Sequence, residues 1–186
     1  SNAVWEYSPS EIQQLKQKWG VPLDAFITMT GANIEKLEDK DNAYFELIKK
    51  VLEANVNVYH VLVSSINFKK KKHIRNIVGS VFNRFVIVDF TVAFYLFIQA
   101  SDLYIDSFPQ GSALTLVDFI KHKKPVIIKV NEKSPVKSFE EYLYDGYEYA
   151  CKDADTMLEK INYLIKNKQE YMKISNNVYK YYCDRY

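Results

Sequence analysis

The sequence predicts an α/β fold with a doubly wound, mainly parallel sheet. Apolar segments of strand length alternate with segments of helical periodicity, roughly six of each. The strand segments are apolar without alternation, as in FVIV at 85–88 and VIIKV at 126–130. Such strands are typical of parallel sheets that helices cover on both faces. The crossovers between parallel strands are right-handed. In such sheets, ligands bind beyond the carboxyl ends of the strands, at the point where the winding reverses.

A helix start signal opens the first half of the chain. Ser8 and Glu11 have the spacing of a capping box, which predicts a helix to about Trp19. Apolar runs rich in β-branched residues then indicate strands, and apolar residues three or four positions apart indicate helices. The elements predicted here are a strand over 25–30, a helix over 42–55, a strand over 56–64, a helix over 68–82 and a strand over 85–88.

The second half is organised around residues 100–129, ASDLYIDSFPQGSALTLVDFIKHKKPVIIK. A short apolar strand leads to a turn, then to an apolar helix from about Ser112, then to a second apolar strand. The elements predicted for this half are a helix over 92–99, strands over 103–105 and 126–130, a helix over 134–143, a short strand over 146–150, and terminal helices over 153–167 and 168–182.

Composition limits the class of protein. The 186 residues carry a formal net charge of +2, with 48% hydrophobic residues, which indicates one globular domain and argues against binding to a nucleic acid. The two cysteines form no CxxC pair, so a disulfide framework or zinc site is not expected and a cytoplasmic location fits. The longest apolar run, at 85–100, is too short and interrupted to span a bilayer. Residues 1–3 look like a tag remnant, so the predicted single domain covers 4–186.

One acid in the predicted helix points to a binding site. Asp118 lies among apolar residues, where an unpaired carboxylate is costly, and Thr115 lies one turn before it on the same face. Gly111 and Ser112 precede the helix, where free backbone N–H groups can bind an anion, although they can equally form an ordinary turn and cap. The strand, the turn and the acid together indicate a nucleotide site, with phosphate at the helix start and ribose near Asp118.

The same segment resembles the nucleotide-sugar-binding half of GT-B glycosyltransferases, especially the O-GlcNAc transferase family and the bacterial adhesin N-glucosyltransferases. The matching residues are Asp106, Ser107-Phe108-Pro109, Gly111, Thr115, Asp118 and Pro125. The resemblance implies a Rossmann-like domain, the C-terminal half of a GT-B fold, with C-terminal helices. It also implies that no metal or cofactor takes part.

The resemblance implies a role for each residue of the predicted site. Thr115 and the backbone N–H groups of Ser112, Ala113 and Leu114, beside Gly111, would bind the diphosphate. Asp118 would accept hydrogen bonds from the ribose hydroxyls. Lys36 would face the diphosphate. Thr91 and Phe94 would lie nearest the uracil ring.

The implied function is that of a donor-binding domain for a UDP-sugar, with UDP-glucose or UDP-N-acetylglucosamine as the expected donors. A protein or glycan acceptor and any catalytic residues would belong to a separate N-terminal domain, so residues 4–186 are expected to bind nucleotide and show little transfer alone. The chain departs from the family at Ala113, Leu114 and Lys123, and Gln110 stands where retaining GT-B enzymes have a glutamate. These departures leave open a non-catalytic accessory or chaperone subunit, and more weakly a nucleotide-sugar epimerase.

Three other signals have ordinary explanations. The lysine run 69–72 is expected to be a solvated helix face, although positive charge at a helix start leaves room for an anionic partner. His60 is expected to be packed or half-exposed within a strand. Asp153 and Asp155 have the DxD spacing of metal-dependent glycosyltransferases, but they open a predicted helix, where capping is the expected role.

Overall fold

The computed structural model of the protein describes residues 4–130 and 146–185, and it confirms the predicted α/β architecture. The strands are β1 (Phe26–Gly31), β2 (Val58–Val63), β3 (Phe85–Val88), β4 (Leu103–Ile105), β5 (Val126–Lys129) and β6 (Ala150–Cys151). The helices are α1 (Pro9–Trp19), α2 (Ala43–Ala54), α3 (Phe68–Val78), α4 (Phe94–Ala100), α5 (Leu114–Lys121), α6 (Ala154–Lys166) and α7 (Lys168–Arg185), with 3-10 turns at Ile34–Leu37 and Gly79–Arg84.

The six strands form one sheet in the order β3-β2-β1-β4-β5-β6, and every neighbouring pair is parallel. The chain winds outward from β1 to β3 on one side and from β4 to β6 on the other. The direction of winding therefore reverses between β1 and β4, which leaves a crevice at the carboxyl ends of these two strands. Sheets of this kind bind ligands in that crevice.

Helices cover both faces of the sheet and complete the hydrophobic core. α1 packs against α4, α2 against α6, and α5 against α7. The strand residues between these layers are almost fully buried, which explains their unbroken apolar sequence. Examples are Ile27, Met29, Val61, Leu62, Leu103 and Ile127. None of the helices in the described ranges has the length and apolar character needed to span a bilayer.

The predicted helix over 68–82 is broken in the structure. α3 ends at Val78 because Gly79 has a φ of 67°, and the Gly79 N–H donates to the Arg75 carbonyl. A positive φ with this ψ (−133°) is strained for any residue that carries a side chain, so the position favours glycine. The chain then forms a 3-10 turn up to β3 instead of a continuous helix.

Two predicted elements in the second half of the chain, over 146–150 and 134–143, have different outcomes. The predicted strand over 146–150 is wrong in its bounds: the Ala150 N–H donates to the Tyr147 carbonyl across a turn, and β6 comprises only Ala150 and Cys151. The predicted helix over 134–143 lies outside the described residues. The capping box at Ser8 and Glu11 is confirmed in both directions.

His60 on β2 is fully buried, not half-exposed, and it is hydrogen-bonded to Thr28 and Tyr44. His60 Nδ1 lies 2.8 Å from Thr28 Oγ1, and His60 Nε2 lies 2.7 Å from the Tyr44 hydroxyl oxygen. Both ring nitrogens therefore have a partner without the ring being charged. Burial lowers the pKa of His60 from its ordinary 6.5 to about 3, because the charged imidazolium would lose its hydration.

The buried neutral His60 predicts a specific acid sensitivity. Between pH 6.5 and pH 3 the unfolded chain binds a proton at this position and the folded chain does not, so the free energy of unfolding falls as pH falls. The contribution is about 1.4 kcal/mol per pH unit within this window. Urea denaturation at pH 7, 6, 5 and 4 should show a shallower decline for His60→Gln than for the natural sequence. Parallel curves for the two proteins would contradict the assignment.

Candidate functional site

The loops that follow β1 and β4 are joined across the crevice at the carboxyl edge of the sheet. Lys36, in the 3-10 turn after β1, places its Nζ 3.2 Å from the Gly111 carbonyl oxygen. In the opposite direction, the Gln110 N–H donates to the Lys36 carbonyl at 3.3 Å. Lys36 is only partly buried, so its ammonium group keeps access to solvent. The structure thus brings the predicted Lys36 and Gly111 together.

A buried carboxylate shapes the loop between β4 and α5. Asp106 is 1% exposed, and its Oδ1 accepts hydrogen bonds from the backbone N–H of Ser107 (2.9 Å), the backbone N–H of Ser112 (3.0 Å) and Ser112 Oγ (2.6 Å). The Tyr104 hydroxyl lies 2.5 Å from Ser112 Oγ and 3.3 Å from the Gly31 carbonyl oxygen. These contacts tie the loop to the ends of both central strands.

The Asp106 contacts correct the predicted role of Ser112. The expectation was a helix from about Ser112 whose free N–H would face a phosphate. In the structure the Ser112 N–H donates to Asp106, and α5 begins two residues later, at Leu114. Ser112 is buried and supports the loop from inside, because its hydroxyl and its amide share one acceptor.

The first turn of α5 is uncapped. Ala113 occupies the position before the helix, and no side-chain cap is formed there. Leu114 is 80% exposed and Ala113 half-buried, so this helix end lies at the surface. The N–H groups of a first helical turn have no partner within the helix, and they carry a partial positive charge that favours anions.

Phe94 and Thr115 converge above the end of β1. A Cβ atom added to Gly31 would lie 3.4 Å from Phe94 Cζ and 3.4 Å from Thr115 Cγ2. Because Gly31 has no side chain, space remains above the end of β1 between the first turns of α4 and α5. Thr91 lies in the loop that leads into α4, where its Oγ1 accepts a hydrogen bond from the Ala93 N–H at 3.1 Å.

Asp118 is half-buried and has a partner that the sequence did not reveal. The Tyr95 hydroxyl on α4 donates to Asp118 Oδ1 at 3.3 Å. Partial burial raises the pKa of the Asp118 carboxyl, and the Tyr95 hydrogen bond and the charges of His122 and Lys121 act in the opposite direction. Asp118 is neither unpaired nor freely solvated, and it lies beside Thr115, one turn further along α5.

The sequence singled out Thr115 and Asp118, which the structure places one turn apart on α5, but it did not reveal the Tyr95–Asp118 hydrogen bond or the hydrogen bonds of Asp106. Tyr95 follows Phe94 in a mainly apolar helix, where a tyrosine is an ordinary core residue, so no sequence signal marked it. Asp106 stands out in the sequence as an acid at the end of an apolar strand. Its hydrogen-bond partners could not be predicted, because they depend on the conformation of the loop. Among the residues that the structure describes, Thr91 forms no hydrogen bond with another residue of the predicted site.

The remaining charged signals take ordinary roles. Asp153 caps α6, accepting a hydrogen bond from the Thr156 N–H at 2.7 Å, so its DxD spacing reflects a helix start. Lys70, in the basic run, pairs with Glu38. In the two described ranges no three His, Cys, Asp or Glu residues cluster closely enough to hold a metal ion.

Removing the Asp106 carboxylate should destabilise the protein. Asp106→Ala leaves the N–H groups of Ser107 and Ser112 buried without an acceptor, and we expect a loss of about 3 kcal/mol in the free energy of unfolding. Asp106→Asn should cost less, because its amide oxygen can still accept both hydrogen bonds. Chemical denaturation of both variants tests this, with Asp155→Ala, which removes an exposed acid, as the control. An Asp106→Ala variant as stable as the control would contradict the stabilising role of the Asp106 hydrogen bonds.

Solved structures share this fold across the described elements. The C-terminal domain of a glycosyl transferase group 1 family protein (LpcC) from Francisella tularensis aligns with a TM-score of 0.71 at 18% identity, over 100% of this chain and 97% of that domain. HepE from Anabaena, solved with UDP and glucose, aligns with a TM-score of 0.74 at 18% identity, over 97% of this chain and 49% of HepE. An O-GlcNAc transferase from Thermobaculum terrenum aligns with a TM-score of 0.73 at 11% identity, over 88% and 33% of the two chains.

Sequence comparison adds no family to this picture. Neither a protein-family model nor a curated protein matches the chain. The chain spans about half the length of HepE and nearly all of the LpcC C-terminal domain. The structural likeness confirms that the chain has the fold of the C-terminal domain of GT-B glycosyltransferases, as the resemblance at residues 100–129 implied.

Proposed function

We propose that this chain is the donor-binding domain of a glycosyltransferase and that it binds a UDP-sugar in the crevice between β1 and β4. The observation that carries the proposal is the convergence of Gly31, Phe94 and Thr115 beside the half-buried Asp118. It lies at the point in the sheet where parallel α/β folds bind ligands. The structures of HepE with UDP and with UDP-glucose, on the same fold, support this choice of donor.

Each part of the crevice has a proposed role in holding the donor. The diphosphate binds the uncapped start of α5, through the N–H groups of Ala113 and Leu114, the Thr115 hydroxyl and the Lys36 ammonium. The Asp118 carboxylate accepts hydrogen bonds from the ribose hydroxyls. A single helix end stabilises an anion by about 0.3–1 kcal/mol, rising to about 2 kcal/mol when partly buried, so useful affinity needs several of these contacts together.

Transfer of the sugar requires stabilisation of the negative charge that develops on the departing diphosphate. The acceptor atom attacks the anomeric carbon and loses its proton, while the bond from that carbon to the diphosphate oxygen breaks and UDP departs. The departing diphosphate gains negative charge, which fixed donors such as Lys36 and the α5 N–H groups stabilise without a metal. The acceptor and the group that takes its proton belong to another domain in this proposal.

A non-catalytic subunit with the same fold is the second candidate. Two observations favour it: the Ser112 N–H is committed to Asp106, and Ala113 offers no side chain to a phosphate. An accessory subunit of this kind has no need to bind the donor. Nucleotide binding therefore separates the two candidates.

Titration calorimetry with UDP tests the proposed function. The natural sequence should bind UDP, and Asp118→Ala should weaken binding by about 1–3 kcal/mol, because hydrogen bonds to a charged group are lost. Asp155→Ala, which removes an exposed acid on α6, serves as the matched control and should bind as the natural sequence does. No heat of binding with millimolar UDP would overturn the proposal in favour of the accessory subunit.

A further inference from the structure

We propose that Tyr95 is a positioning residue that orients the Asp118 carboxylate, and that the pair makes the crevice select the ribose diol of a nucleoside diphosphate. The inference rests on the proposed function and adds to it a second residue and a preference for ribonucleotides. It depends on three features: the hydrogen bond between the two side chains, the packing that holds the tyrosine ring, and their position beside Thr115 and Phe94.

The two oxygens of the Asp118 carboxylate have different surroundings. Oδ1 accepts a hydrogen bond from the Tyr95 hydroxyl at 3.3 Å. No other residue in the described part of the chain donates to the carboxylate, so Oδ2 is open to a further donor. Because one oxygen is held, the plane of the carboxylate and the direction of Oδ2 are restricted.

The ring of Tyr95 is itself held by the end of α5. His122 packs edge-on against it, with ring centroids 4.9 Å apart and an interplanar angle of 63°. Lys121 places its Nζ 5.9 Å from the centre of the same ring. His122 Nδ1 lies 2.7 Å from the Asp118 carbonyl oxygen, so the imidazole is fixed to the helix turn that carries the acid.

These contacts form a closed circuit between α4 and α5. It runs from the Asp118 carboxylate to the Tyr95 hydroxyl, across the ring to His122, and back to the Asp118 backbone. A side chain held from both ends loses little further freedom when a ligand binds, which favours affinity through preorganisation. An isolated surface aspartate lacks that advantage.

The circuit lies beside the proposed diphosphate and base contacts. Phe94, the residue before Tyr95, and Thr115, one turn before Asp118, both approach the same point above Gly31. Phe94 and Thr115 therefore reach the floor of the crevice, and Tyr95 follows Phe94 by one residue on α4 while Asp118 follows Thr115 by one turn on α5. A carboxylate with one fixed and one open oxygen in that position suits the vicinal hydroxyls of a ribose.

The test compares UDP with 2′,3′-dideoxy-UDP by titration calorimetry in four proteins: the natural sequence, Tyr95→Phe, Asp118→Ala and the double variant. Tyr95→Phe keeps the ring packing and removes only the hydroxyl. We expect it to weaken UDP binding about three- to tenfold while changing the affinity for the dideoxy analogue less than about twofold. In the Asp118→Ala background the Tyr95→Phe change should have no further effect on UDP binding.

A second tyrosine provides a matched control. The Tyr149 hydroxyl donates to Glu170 Oε1 at 3.0 Å, near the amino end of β6 and away from the crevice. Tyr149→Phe therefore removes the same kind of hydrogen bond and should leave the affinities for both nucleotides unchanged.

Two negative results are distinguishable. If the natural sequence binds UDP and Tyr95→Phe alters the two affinities equally, or alters neither, the positioning role is overturned and the proposed function stands. The same conclusion follows if the Tyr95→Phe effect persists undiminished without Asp118. If the natural sequence does not bind UDP, the proposed function fails, and the inference that rests on it fails too.

Discussion

The geometry of the crevice depends on the buried carboxylate of Asp106. One of its oxygens accepts three hydrogen bonds from Ser107 and Ser112, and these bonds turn the chain sharply at the end of β4. A carboxylate buried without such donors would be unstable, so the loop and the acid require each other. Because the turn is fixed in this way, α5 starts at a defined distance from the sheet, with Thr115 above Gly31.

Much of the fold was predictable from residue periodicity. The strands β3 and β4 appear at their predicted positions, and most other elements differ by one or two residues, because unbroken apolar runs fit only a sheet covered on both faces. The exceptions arise from backbone geometry. The positive φ at Gly79 ends α3 early, and the commitment of the Ser112 amide delays the start of α5.

A residue of the candidate site could be predicted from the sequence where its polarity differs from that of its neighbours. Asp118 was visible because an acid is out of place on an apolar helix, and Thr115 followed from its spacing. Tyr95 was not visible, because a tyrosine in an apolar helix is ordinary and its hydroxyl partner is set by how α4 crosses α5. His60 shows the same limit: the chain of Thr28, His60 and Tyr44 joins two strands and a helix, and no local pattern relates them.

The two-way hydrogen bonds between the Lys36 and Gly111 loops have a consequence for occupancy. The Lys36 ammonium donates to the Gly111 carbonyl oxygen, which is neutral and therefore a weaker acceptor than an anionic group. If the proposed diphosphate drew the ammonium away from Gly111, the Gln110 N–H would still join the two loops through the Lys36 carbonyl. In the proposed complex, the Lys36 ammonium would exchange a neutral acceptor for an anionic one without separating the two loops, so the free energy of binding would include the loss of the Lys36–Gly111 hydrogen bond.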